Sequence, residues 1–373
     1  MNEDLDVLVI GLGPAGASAA AAAARAGARV LAVDRRATPG DPVQCAEFVP
    51  RALGAETRAL RAAAVQEIAA MESYVSGTHL RSDDFRGMMI DRAAFDAALV
   101  AEARAAGAGI VTGVALEALT EAEARLGDNR RFRARVVIGG DGPQSRVGAA
   151  VGLVNRDFCE ARQITVPLRQ PHDATDIFLA AEIPGGYGWL FPRGAEANLG
   201  LGVAWAERAC LKPLLEALHA ELVAEGRVGR QRRRLTGGMI PVGGLVGPLG
   251  HLGRLPVLLA GDAAGLTHPI TGAGIASACL SGAMAGEAAA QIVAGRAGAA
   301  ADYAEEIADL FGPTLRLALA RRAELMAHYV TGAPDTAALR RAWVAYSDYR
   351  DAPLPSAGGS DTAAVEARIE EPA

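Results

Sequence analysis

Asp6-Val7-Leu8-Val9-Ile10, running directly into Gly11-Leu12-Gly13-Pro14-Ala15-Gly16, decides how the rest of the chain is read. The apolar run has the length and character of a strand buried on both faces, as parallel sheets require. Ala17 to Ala26 is nearly all alanine, the strongest helix former, and Gly27 stands where a left-handed cap would stop the helix. Ala28 to Val33 then reads as a second strand ending at Asp34, 21 residues past Gly13.

Each part of that strand, turn, helix, strand and acid has a physical task. Gly11 makes the tight turn, Gly13 lets a pyrophosphate approach bare backbone, and Gly16 lets helix and strand pack closely. The helix start adds partial positive charge, which stabilises a phosphate by about 0.3 to 1 kcal/mol. Asp34 would accept hydrogen bonds from ribose hydroxyls and repel a 2'-phosphate, so the expected ligand is FAD or NAD rather than NADP.

Two later strand ends repeat the signal. Arg135-Val136-Val137-Ile138-Gly139-Gly140-Asp141-Gly142 and Pro256-Val257-Leu258-Leu259-Ala260-Gly261-Asp262 place Asp141 and Asp262 where doubly wound sheets hold ligands, outside the carboxyl ends of their strands. After Asp262, a glycine-rich stretch through Gly265, Gly272 and Gly274 opens a second alanine-rich helix. Such a helix start can stabilise negative charge on the pyrimidine end of a reduced flavin.

With these three fingerprints in order, the sequence resembles FAD-dependent oxidoreductases of the para-hydroxybenzoate hydroxylase fold. The resemblance implies that Asp34 meets the adenosine ribose, Asp141 lies near the pyrophosphate, Asp262 meets the ribityl chain, and Gly272 and Gly274 lie beside the isoalloxazine. It also implies cofactor contacts at Pro14, Ala15, Arg35, Cys45, Val114, Gly261, Pro269 and Ile275. Arg92 matches a family arginine that touches FAD, and a cation in the first turn of a helix opposes the helix dipole, which favours a ligand role.

Within that fold the sequence is similar to the geranylgeranyl reductase family. Gly186-Tyr187-Gly188-Trp189-Leu190-Phe191-Pro192 matches its Y-x-W-x-F-P segment, and Tyr187, Trp189 and Phe191 alternate onto one face of a strand. The resemblance implies that this face lines an apolar cavity beside the flavin; periodicity alone reads it as half of a sandwich core. Val43-Gln44-Cys45-Ala46-Glu47-Phe48 sits where the family has a Cys-Gly pair, with Ala46 in place of the glycine. Cys45 is a candidate redox-active or acidic thiol, against the plainer reading of a small buried hydrophobe. His268 is a candidate proton donor or a residue that hydrogen-bonds its own loop.

The expected architecture is α/β: a Rossmann-like FAD-binding domain with a mixed or parallel sheet, an inserted, mainly antiparallel substrate domain, and C-terminal helices. The boundaries read as 1–65, 88–155 and 246–300 for the first, 66–87 and 156–245 for the second, 301–352 for the helices and 353–373 for a flexible tail.

The bulk properties narrow the function. The chain has 373 residues, 51% hydrophobic and 21% charged, which excludes a disordered or fibrous protein. Net charge is −6, and the only concentrated basic stretch is Arg230-Gln231-Arg232-Arg233-Arg234, read as a solvated face, so no nucleic-acid partner is expected. Four scattered cysteines give no metal site and no disulfide framework. The acidic start carries no secretory signal, and the apolar stretches are broken by Asp, His and Pro. A cytoplasmic protein without a transmembrane span is expected, peripheral association with a membrane remaining open.

The leading expectation is an FAD-dependent reductase of carbon-carbon double bonds in a prenyl-type or other apolar substrate, with NAD(P)H or another transient donor. An unactivated alkene also needs a proton, from Cys45, Tyr187 or His268. The alternatives are a monooxygenase acting on an aromatic, even peptidyl, substrate, and a non-catalytic flavin-binding module. A halogenase would need an active-site lysine, and the single lysine, Lys212, reads as the start of a surface helix. Gly200-Leu201-Gly202 lies inside a strand-like run and so makes no second dinucleotide site.

Overall fold

The computed structural model describes residues 3–51 and 58–351; the tail expected at 353–373 lies outside them. The opening motif folds as its sequence dictates. Glu3–Ile10 is a strand, Pro14–Arg25 a helix, and Val30–Asp34 the next strand, with Gly27 at φ +91 closing the helix. Residues 7–10 are almost wholly enclosed, which is why the run carries no alternation.

The first sheet has the order Leu249–Leu252, Leu255–Leu259, Arg131–Gly139, Glu3–Ile10, Val30–Asp34, Gly109–Thr112. The last five of these are mutually parallel, and Leu249–Leu252 adds on antiparallel. The motif strand lies among parallel strands, so the carboxyl ends of the adjoining strand, at Gly139, and of the strand next beyond it, at Leu259, open on the same side as Gly11.

Helix Pro14–Arg25 packs between Arg92–Ala105 and Ile275–Val293. Its contact with the last is too close for side chains: a Cβ on Gly282 would collide with the Ala15 carbonyl, and one on Gly286 with that of Ala19. Contacts that advance together along both helices mean that the two run parallel.

The second sheet has seven strands in the order Leu235–Pro241, Phe158–Pro167, Glu196–Ala204, Gly188–Arg193, Ala174–Leu179, Ala70–Val75, Thr78–Ser82. All neighbours are antiparallel except Ala174–Leu179 with Ala70–Val75. Gly200 and Gly202 are indeed inside a strand. Helix Leu211–Ala224 covers one face through Leu215, Leu218 and Leu222. The other face meets the C-terminal helices Ala299–Thr331 and Thr336–Arg341 and the rings of Trp343 and Tyr346. A small sheet, Phe48–Pro50, Gly87–Ile90 and Ala64–Ile68, links the two larger ones.

Candidate active site

The three fingerprint loops converge. Gly11, at φ +93, takes a conformation that side chains resist, and a Cβ there would strike the Gly140 carbonyl. Gly140 in turn packs on Gly16, its Cβ position only 2.7 Å from the Gly16 nitrogen, while a Cβ on Gly261 would touch that of Ala15 at 3.0 Å. The loop before Asp141 and the loop before Asp262 are thus both pressed against the first turn of Pro14–Arg25.

The acids hold these loops. Asp34 accepts the Leu12 N–H at 2.6 Å and the Arg36 N–H at 2.7 Å, one on each carboxylate oxygen. A carboxylate offers about four acceptor positions, so capacity remains for hydroxyls. Asp141 accepts the Ser145 hydroxyl at 2.5 Å and the Arg146 N–H at 2.7 Å, capping the turn after its strand. Asp262 accepts the Thr267 hydroxyl at 2.5 Å. Burial raises the pKa of both Asp141 and Asp262, against these hydrogen bonds and, at Asp262, the Arg92 charge. Val114 donates its N–H to the Asp34 carbonyl, and Arg35 is exposed beside it.

Two features of the first turns fit FAD. Neither Gly13 nor Gly274, the residues before helices Pro14–Arg25 and Ile275–Val293, supplies a side-chain cap, and the space where a Cβ of Gly13 would project is open to 4 Å. Because Gly282 lies level with Ala15, the second helix starts about 9 Å beyond the first, at 1.5 Å per residue. Two uncapped, positively polarised helix ends therefore open at the same end of the sheet, at a spacing suited to a pyrophosphate and a remote anionic ring.

Arg92 departs from the sequence argument. Its guanidinium folds back on Asp96, Nε to Oδ1 at 2.7 Å, so the charge in the first helical turn is compensated one turn later and needs no ligand to offset it. Burial opposes its charge, but Asp96 and the neighbouring Cys45 outweigh this and raise its pKa. Cys45 is half-buried beside it, its sulfur accepting the Glu47 N–H at 3.2 Å.

The aromatic trio is tied to this region rather than forming an open wall. Tyr187 stands one residue ahead of the strand, and its hydroxyl donates to the Thr271 carbonyl at 2.6 Å in the glycine-rich loop. Burial raises its pKa. Trp189 and Phe191 are each only 6% exposed and pack in one cluster with Ile177, Leu325 and Trp343. Trp189 Nε1 donates to Gln163 at 3.0 Å, and Gln163 Nε2 donates to the Cys45 carbonyl at 3.2 Å. The core reading thus describes Trp189 and Phe191, while Tyr187 touches the loop that bears Gly272.

His268 serves its own loop. Its Nδ1 accepts the N–H groups of Ile270 and Thr271 at 3.3 and 3.2 Å, and burial lowers its pKa to about 4. A ring in this state is neutral at pH 7 and a poor source of protons. Pro269 and Ile275 flank the same turn, and a Cβ on Gly272 would rest against Ile240 at 3.6 Å.

Sequence reasoning missed Glu47. It is 1% exposed, at φ +68, and its carboxylate accepts from Arg92 N, Asn198 Nδ2 and Arg234, with Arg193 at 3.5 Å. Gln163 and Asn198 were missed with it; the available signal was Asn198 inside an otherwise apolar run, whereas Gln163 stands among Glu160, Arg162 and Thr165 and gives none.

Residues 4–172 match the FAD binding domain, and residues 158–231 match the geranylgeranyl reductase catalytic domain. Digeranylgeranylglycerophospholipid reductase 2 of Methanopyrus kandleri is 34% identical over 323 residues, covering 78% of each chain. The corresponding reductase of Methanosarcina mazei is 31% identical over 318 residues, 78% of this chain and 76% of that one. Among solved structures, a geranylgeranyl bacteriochlorophyll reductase-like protein from Thermoplasma acidophilum superposes with a TM-score of 0.78 at 27% identity, covering 87% of this chain and 88% of that one. A probable FAD-dependent monooxygenase from Pseudomonas aeruginosa shares the fold, with a TM-score of 0.69 at 20% identity over 88% of this chain and 98% of that one. From the matched catalytic domain and these relatives, the chain belongs to the geranylgeranyl reductase family of FAD-dependent oxidoreductases.

Proposed function

We propose that this enzyme reduces carbon-carbon double bonds in the isoprenoid chains of a prenyl lipid, with electrons from NAD(P)H or another donor that binds only transiently. The observation that carries the reading is the Tyr187–Thr271 hydrogen bond, which fixes the aromatic end of the antiparallel sheet on the glycine-rich loop of the cofactor cleft. The relatives named as reductases of digeranylgeranylglycerophospholipid support the substrate class.

When bound, FAD supplies the hydride chemistry, and the protein supplies placement, electrostatics and exclusion of water. The pyrophosphate is assigned to the Gly11–Gly16 turn, the ribose to Asp34 and the ribityl chain to Asp262. The unit formed by 66–87 and 156–245 is assigned to the substrate. Of the three proton-donor candidates, Cys45 is preferred: it is half-buried beside Arg92, whereas the Tyr187 proton is committed to Thr271 and the neutral His268 ring keeps only a weakly acidic N–H. Trp189 and Gln163 hold the Cys45 backbone in place.

The test is anaerobic reduction of the purified yellow protein by NADPH, NADH or dithionite, followed by addition of a geranylgeranyl lipid. Reoxidation with a gain of two hydrogens per double bond supports the reading. Hydroxylated product formed only on admitting oxygen, or a flavin that no donor bleaches, overturns it.

A further inference from the structure

We infer that the outer face of the antiparallel sheet, at its Leu235–Pro241 edge, docks on an anionic lipid surface. The inference does not depend on the alkene reading, because it concerns the sheet face turned away from Cys45.

The register separates the two faces. Leu235 pairs with Ile164, and Gly237 with Arg162, so these four share a face, while Gln163 and Gly238 point to the other, where a Cβ on Gly238 would lie 3.6 Å from Gln44. A cavity opens on the outer face between the edge strand and helix Leu211–Ala224. Its floor is apolar, from Ile164, Leu215 and Leu235, and its lining carries five cations, Arg162, Lys212, Arg232, Arg233 and Arg234, against one carboxylate, Glu216.

Three of the cations are already engaged: Arg232 with Glu216 and His219, Arg233 with Glu196, Arg234 with Glu47. Arg162 and Lys212 make no ion pair or hydrogen bond among the described residues; Glu160, on the same strand, is close enough to Arg162 for its charge to be felt but forms no pair. In a chain of net charge −6, two free cations over an apolar floor are a local reversal of sign.

Two large apolar side chains of this unit are exposed. Leu235 is 64% exposed on the edge strand, and Trp205 is 42% exposed at the start of the turn before Leu211, with Arg208 stacked 4.6 Å from its ring. An exposed aliphatic residue and unpaired cations at one cavity, with an exposed tryptophan on the turn that leads into the helix lining it, suit the interface of a bilayer with anionic headgroups, where apolar groups enter the acyl boundary and cations meet phosphates. A soluble anion would use the cations and have no use for Leu235 or Trp205.

The experiment is co-sedimentation of the full chain with vesicles of phosphatidylcholine alone or mixed with phosphatidylglycerol. Wild-type protein is expected to prefer the anionic vesicles, and Arg162→Gln with Lys212→Gln to weaken that partitioning by about 25-fold, roughly five-fold per cation. Arg162→Lys with Lys212→Arg should restore it, and Leu235→Ser with Trp205→Ser should weaken binding while leaving the flavin spectrum intact. Equal binding to both vesicle types overturns the inference. So does full binding by the double glutamine variant. Occupation of the cavity by inorganic phosphate with no vesicle binding also overturns it, in favour of a soluble anion.

Discussion

The Tyr187 hydroxyl and the Thr271 carbonyl, 84 residues apart and 2.6 Å from one another, join the antiparallel sheet to the loop that bears Gly272. The phenol ring is further held by Trp343, centroid to centroid at 4.7 Å, so the bond has a fixed direction. Tyr187→Phe removes the donor and leaves a carbonyl short of its partner, at a cost of about 1–2 kcal/mol. Thermal unfolding should shift down by a few degrees, FAD content should persist, and turnover should fall because the substrate side loses its fixed relation to the loop.

Gly11 and Gly27 share a left-handed backbone but differ in surroundings. Beside Gly27 there is open space, whereas a Cβ at Gly11 would meet Gly140. Gly27→Ala should cost about 1 kcal/mol and leave the protein yellow. Gly11→Ala should push the Asp141 loop away and reduce FAD occupancy at least ten-fold, read as the visible-to-ultraviolet absorbance ratio.

The contrast between those two glycines also indicates what the sequence made legible. The strand, turn, helix and Asp34 are local patterns, each within reach of its neighbours, and they fold as read. So do the late Gly261-Asp262 and the helix after Gly274, because the same local rules apply. Glu47 was not legible: its partners Asn198 and Arg234 lie 151 and 187 residues away and come together only when the two sheets are assembled. The partner of Arg92 was not legible for a related reason, since the burial of Asp96 one turn on comes only with the packed fold.

His268 gives a pH dependence with a defined sign. Burial lowers its folded-state pKa to about 4, below the ordinary 6.5, so the unfolded chain takes up the proton more readily. Its contribution is complete above about pH 6.5, is lost as pH falls from there to about 4, and amounts to on the order of 3 kcal/mol. His268→Asn keeps an acceptor for Ile270 and Thr271 and should flatten denaturant-measured stability across that window.

Gln163 bridges the Trp189 indole and the Cys45 carbonyl, so Gln163→Leu leaves both without a partner. Stability should drop by about 1–3 kcal/mol. If Cys45 delivers the proton, kcat should fall further than in a variant of equal stability loss elsewhere, with flavin content unchanged; stopped-flow comparison of donor-driven reduction and alkene-driven reoxidation would place the loss in the second step.

The edge strand Leu235–Pro241 alternates between two environments, the cleft of Gln44 and Gly272 through Gly238 and Ile240, and the basic outer cavity through Leu235. Insertion or deletion of a single residue at its start would exchange those two sets of side chains at once. The evolutionary freedom of one face is thereby yoked to the other: lineages can retune the inner cleft or the outer cavity by substitution, but not by altering the length of this segment.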